Sequence, residues 1–305
     1  AAVAPNTNWL KPIASPSNAT LDIVAVHGMN LENNDGHTDN TWTDKESGTN
    51  WLRDLLPSRI PNARILAYQY NANVAFGTSS AGVEEQAKNM LHCLWAERKT
   101  NSSRPIIFIA HSMGGILVKE ALATACRGDG TYAMISTITY GIVFFAVPHG
   151  GSKHATWGRI AAYIAGISSC QLNESFLSSV ESGSAYNEML NAKFKPLLER
   201  YRFFSFCETL SEGNLGIIVH KDSAILGLTD LQEVKIFPNR SHRTICKFAS
   251  AVEPEWEQVS DILYHAANSA VKSFSYSPTV LERKKMFKDF SWHLEGTYKS
   301  SYQTL

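Results

Sequence analysis

The stretch PIIFIAHSMGGILVKEAL, residues 105 to 122, constrains the fold more than any other part of the chain. Ile106 to Ile109 is an unbroken apolar run, the pattern of a strand covered on both faces. Past two glycines, Ile116 to Cys126 reads as a helix whose only charges are Lys119 and Glu120. A buried strand that enters a packed helix within so few residues needs a sharp turn, and Ser112 stands at its tip. Strands of this kind lie inside parallel sheets, which need crossover helices on both faces.

The rest of the chain repeats the rhythm. LDIVAVHGMN (21–30) is a strand running into a glycine turn, and ARILAYQY (63–70), GIVFFAVPHGG (141–151), RFFSFCE (202–208), IIV (217–219) and VKIF (234–237) read as further strands. WLRDLLPSRI begins a short helix that Pro57 helps to stop. Val83, Ala87, Met90 and Leu94 mark one face of an amphipathic helix, and Trp256, Val259, Leu263, Ala267, Ala270 and Phe274 one face of a long closing helix. Residues 31–50 form a polar surface loop, and 152 to about 200 a largely helical cap insertion, within the usual boundary error. The expected class is α/β: a mostly parallel central sheet with helices on both faces. Residues 1–20 form a lead, 21–275 the domain, and 276–305 a charged appendage. The cap stretch WGRIAAYIAGIS (157–168) is apolar enough to line a pocket or to pack on the sheet.

Totals exclude several classes. At 305 residues with 44% hydrophobic, the chain can bury a large core. Lys+Arg and Asp+Glu are both 28, so zero net charge gives no electrostatic case for nucleic acid. No apolar run approaches the roughly 18 residues that span a bilayer. The first residues show no basic region before an apolar one, so no secretory signal is read. Five cysteines (93, 126, 170, 207 and 246) are odd in number and lack CxxC spacing, which suits reduced thiols in a cytoplasmic protein without a structural metal. Sequons at Asn18, Asn101, Asn173 and Asn239 would matter only in a secreted protein. Residues 110–120 lack GxxxxGK[ST], so no nucleotide cofactor is expected. Oligomeric state stays open.

The chemistry gathers at Ala110-His111-Ser112-Met113-Gly114. It has the spacing of a nucleophile elbow, with alanine where the first glycine usually stands. Small residues two positions either side of the serine let the turn pack tightly. Backbone N–H groups at the following helix start face any negative oxygen near Ser112, making Met113 N–H one oxyanion donor. The second donor comes from the turn after an earlier strand: Gly28 allows it, and Met29 N–H is the candidate. A serine in an ordinary βα turn and a plain strand-ending glycine are the bland alternatives. Serine needs a base, and this elbow's partners follow in the order serine, acid, histidine. His265 lies off its helix's apolar face, His293 belongs to the appendage, and His220 precedes the last strand. His242, in the loop after VKIFP and just before a helix near Arg243, is the base of choice.

Taken together, TLDIVAVHGMN, ARILAYQY, RPIIFIAHSMGGILVKEAL, GIVFFAVPHGGS, SAILGL and SHRTICKF resemble the lipase-like serine esterases of the "serine active site" family. That family is related to inositol deacylases acting on glycosylphosphatidylinositol, and its fungal versions stand alone or head NLR-like proteins. The likeness runs over roughly residues 20–250. It implies an α/β-hydrolase fold, Ser112 as nucleophile, His242 as base, and a small-molecule or lipid ester as substrate. Glu208, ending RFFSFCE where FCET resembles the family's stretch, is the expected acid. Asp222 in HKDSA is the runner-up, while Glu212 and Asp230 fall in polar loops. An acyltransferase or thioesterase with the same triad, and a non-catalytic interaction module that kept the fold, are the rival readings.

Overall fold

The computed structural model describes residues 9–28, 37–70, 80–100, 103–127, 130–150, 160, 162–163 and 174–275. Seven strands form one sheet: β1 (Trp9–Ala14), β2 (Leu21–Val26), β3 (Ala63–Gln69), β4 (Ile106–His111), β5 (Thr139–Phe145), β6 (Arg202–Phe206) and β7 (Glu233–Ile236). Their order is β1-β3-β2-β4-β5-β6-β7. β1 is antiparallel to β3, and every other pair is parallel. The mostly parallel, doubly covered sheet expected from the apolar runs is what forms.

Alternation along each strand feeds two cores. Val24, Val26, Phe108 and Ala110 face the helices Ser80–Glu97 and Gly114–Arg127. Ile23, Ala25, Ile107 and Ile109 face Trp42, Trp51 and the closing helix Pro254–Ser275. That helix buries Trp256, Val259, Ile262, Leu263, Ala266, Ala267 and Ala270 at helical spacing. Burying each large side chain contributes about 1.5–3 kcal/mol. Trp51 is the hub of the second core, with ring contacts to Trp42, Phe145, Phe248 and Trp256. Its indole N–H donates to Cys246 O at 2.8 Å, tying the N-terminal third to the segment that follows His242.

Four local readings are corrected. The lead contains the edge strand β1, whose half-buried pattern and Pro12 hide it in sequence. The 31–50 stretch is not all loop: His37–Trp42 is a helix, held because Trp42 is buried against Trp51. WLRDLLPSRI does begin with a short helix, Trp51–Asp54, which stops before Pro57, and Pro57 then sits in the first turn of the next, Leu56–Arg59, where its missing N–H is harmless. Residues 217–219 make no strand, and 241–249 turn without forming a helix. The appendage 276–305, with His293, and most of the apolar cap stretch 157–168 lie outside the described residues. The described part of the cap is mainly the helix Glu174–Phe194.

At the amino edge of the sheet, Asp22 in β2 is fully buried among three arginines. Arg64 binds it through two nitrogens at 2.9 and 2.8 Å, Arg104 at 2.9 Å, and Arg98 completes the cage. Burial alone raises the carboxyl pKa, but Arg64, Arg98 and Arg104 outweigh it and hold it below the ordinary carboxylate value. The linked stability is therefore present above the unfolded-state pKa of about 3.9 and is lost as pH falls through the lower folded value. Asp22→Asn leaves the arginines without their counter-charge and is expected to cost about 3–5 kcal/mol in urea unfolding at neutral pH. A loss below 1 kcal/mol would show that the cage is energetically idle.

Candidate active site

Every residue singled out for chemistry in the described regions follows the carboxyl end of a strand. His27 and Gly28 follow β2, Ser112 follows β4, Glu208 follows β6, and His242 lies in the loop after β7. Open parallel sheets place their sites at this edge because the connecting loops converge there.

The turn at Ser112 is strained. Its φ of 52° lies in the left-handed region, which costs a non-glycine residue on the order of 1–3 kcal/mol. Three contacts hold it there. Ser112 N–H donates to Phe145 O at 2.9 Å on the neighbouring strand. A Cβ on Gly114 would lie 2.4 Å from His27 O and 2.5 Å from Val26 O, so only glycine lets the new helix sit against the end of β2. Gly115 is likewise crowded by the Val147 side chain at 2.4 Å. Ala110, in place of the usual glycine, is fully buried and paired in the ladder.

The structure brings Ser112, His242 and Glu208 into one hydrogen-bonded line. His242 Nδ1 lies 3.0 Å from Glu208 Oε1, and Nε2 lies 3.0 Å from Ser112 Oγ. A carboxylate only accepts, so Nδ1 carries the proton and Nε2 is left to accept from the serine hydroxyl. Glu208 Oε1 also accepts from Val219 N–H at 2.6 Å, and Oε2 from Ile218 N–H at 3.0 Å. That explains the lost strand at 217–219, whose backbone donors serve the carboxylate rather than a ladder. His242 is 1% exposed, Glu208 4% and Ser112 5%, so the line is shielded from water.

Asp222, the runner-up acid, is exposed on the short helix Lys221–Ala224, and the carboxylate on His242 Nδ1 is that of Glu208. Glu212 takes Arg243 N–H and Nε–H, and Asp230 pairs with Lys235. His220 and His265 are exposed. Met113 is buried immediately before the helix Gly114–Arg127, whereas Met29 lies outside the described residues. Sequence reading missed two neighbours of His242. His111 Nε2–H donates to His242 O at 2.9 Å, and Tyr163 meets the imidazole edge-on at 5.1 Å. His111 occupies the variable position of its motif, and Tyr163 lies in the cap, so neither carried a signal. Among the described residues no cluster could hold a metal ion, and no helix is long and apolar enough to cross a membrane.

This sheet, with its strand–serine–helix turn, is the α/β-hydrolase fold. Among solved structures the chain superposes on the lipase BlEst2 of Bacillus licheniformis in its mature form, with a TM-score of 0.53 and 14% identity over 85% of this chain and 99% of that one. In sequence it is similar to protein SERAC1 of Danio rerio, 29% identical over 252 residues, and of Homo sapiens, 27% identical over 251. Each match covers 74% of this chain, and the chain spans only 36% of the length of these curated relatives. No family model matches the chain. The resemblance to lipase-like serine esterases read from the motifs agrees with these likenesses.

Gly114→Ala tests the packing of the turn. Its Cβ has no room against two backbone carbonyls, so the variant is expected to lose at least about 2 kcal/mol or to fail to fold, as overpacking does. Unchanged thermal unfolding would show that the turn can relax.

Proposed function

We propose that the protein is a serine hydrolase that cleaves carboxylic esters of small molecules or lipids through Ser112, His242 and Glu208. The observation that carries this reading is the continuous line from Glu208 through His242 to a serine held in a left-handed turn at a helix start. Ser112 Oγ attacks the ester carbonyl carbon while His242 Nε2 takes its proton. The developing oxyanion is met by Met113 N–H and, in this reading, by Met29 N–H, donors of the kind worth about 3–4 kcal/mol each. As the tetrahedral intermediate collapses, the carbon–alkoxy bond breaks and the imidazolium protonates the departing alcohol. Water then attacks the acyl-enzyme, with His242 again as base, and the acid is released. Glu208 stays ionised throughout, fixing the tautomer and offsetting the imidazolium charge. His111 supports the loop of the base through its carbonyl.

The four described cysteines are free thiols, which suits a cytoplasmic protein. Both the ester and the compartment belong to this proposal, since the chain is about a third of its curated relatives' length.

Labelling with a fluorophosphonate and hydrolysis of p-nitrophenyl butyrate test the reading. Ser112→Ala is expected to abolish both while leaving the circular dichroism spectrum unchanged. His242→Ala should lower kcat at least about a thousandfold. Glu208→Gln should lower kcat by orders of magnitude, and Asp222→Asn should leave it near the wild-type value. Wild-type turnover in Ser112→Ala, or a reversed order of the two carboxylate variants, sinks the assignment.

A further inference from the structure

One cavity is lined by none of Ser112, His242 and Glu208. Its volume is about 560 Å³, within the range of small-molecule sites. It is bounded by the helices Gly114–Arg127 and Glu174–Phe194 and by the segment 222–227. Phe194, Leu198, Ile225 and Leu226 make most of its wall apolar. Lys119, His149 and Asn191 supply the polar end, and Asp222 borders it with an exposed carboxylate.

The polar end is under-satisfied. Lys119 and Glu120 are adjacent, and both are buried against the cap helix, but they fare differently. Glu120 is matched by Tyr186 Oη–H at 2.8 Å and by Lys193 at 3.4 Å. The Lys119 ammonium donates to one neutral acceptor, Asn191 Oδ1, and lies over the Phe194 ring at 5.6 Å. No carboxylate among the described residues pairs with it. His149 is 3% exposed, and neither ring nitrogen has a hydrogen-bond partner among the described residues. Its backbone is firmly held: N–H donates to Ser223 O at 2.6 Å, and its carbonyl accepts from Asn187 and Asn191. A ring this well fixed yet unpaired is a preformed donor without an acceptor. Leaving such a buried group unmatched costs about 1–3 kcal/mol. Burial pushes the Lys119 ammonium down to about 7, and burial with the nearby Lys119 charge holds His149 well below its ordinary value, in the neutral form.

We propose that this cavity is a binding site for a monoanionic carboxylate carried on an aliphatic chain, its head held between Lys119 and His149 and its tail along Phe194 and Leu226. Lys119 Nζ–H and one His149 N–H donate to the two carboxylate oxygens. The lysine thereby gains the counter-charge that the described residues do not supply. Asp222 at the border disfavours a dianion such as a phosphate monoester, which selects the single charge. The apolar wall asks for a chain rather than a free small acid. This site does not depend on the esterase reading, since none of Ser112, His242 and Glu208 lines it.

Calorimetric titration of the intact protein at pH 6.5 with octanoate, octanol and octyl phosphate tests the site. Octanoate is expected to bind more tightly than either of the others. Lys119→Met, which keeps the length of the side chain, is expected to weaken octanoate at least about tenfold while leaving octanol unchanged. Asp222→Asn, an exposed change that cannot threaten folding, is expected to tighten octanoate about two- to threefold, the size of an exposed charge interaction. Four results overturn the proposal: no binding at millimolar octanoate, octanol or octyl phosphate binding as tightly as octanoate, wild-type affinity in folded Lys119→Met, or an unchanged affinity in Asp222→Asn. Because the titration reads binding and not turnover, its failure is separate from failure of ester cleavage in Ser112→Ala.

Discussion

Gly114 sits where the carbonyl oxygens of Val26 and His27 leave no space for a side chain, and the site is built outward from that contact. It brings the start of a helix against the end of a neighbouring strand. The chain between β4 and that helix must then turn within two residues, which forces Ser112 into the left-handed region. The same contact draws the turn at Gly28 to Ser112: a Cβ there would meet Ser112 Cβ at 3.0 Å. Tyr70 Oη–H fixes this turn from behind by donating to His27 O at 2.7 Å. A close backbone approach, a serine at the tip of a tight turn and a strand-end turn are thus one packing arrangement, not three.

Around that arrangement the sheet separates two kinds of electrostatics. At its amino edge, charge is saturated: Asp22 meets three arginines, and Glu97 adds a further contact to Arg64. At its carboxyl edge, charge is rationed. Glu208 is one carboxylate with three N–H donors from a backbone turn and an imidazole. Glu233, at the amino end of β7, is another buried carboxylate, but Ser205 Oγ–H and the N–H groups of Leu226 and Leu228 occupy it, so it serves the 226–228 loop as a brace. Two acids of similar burial therefore differ in role because only one has an imidazole within reach.

Much of this was legible in the residues. β2, β4 and β5 are continuous apolar runs because both faces are covered, and such runs are hard to mistake when glycines follow. The closing helix was legible from its regular apolar face. Glu208 was singled out because it ends RFFSFCE at the site edge and FCET resembles the family's stretch, and it lies against His242. What misled was short apolar sequence. IIV at 217–219 has strand composition, but its N–H groups are taken by Glu208, a partner ten residues earlier that periodicity cannot reveal. β1 alternates weakly because an edge strand is half solvated. Lys119 reads as the polar face of a helix, and only the cap helix, packed from seventy residues further along, makes it buried.

The line at the site joins positions 130 residues apart between Ser112 and His242, and 34 apart between His242 and Glu208. Contacts this distant in sequence form late, because loop-closure entropy must be overcome before they add stability. During synthesis the serine turn emerges with β2, β4 and its helix well before its imidazole has been made. A nascent or truncated chain can therefore hold a folded-looking half sheet and an ordinary hydroxyl at its edge. Serine, imidazole and carboxylate meet only in a finished domain, so their alignment is itself a proofreading of complete folding.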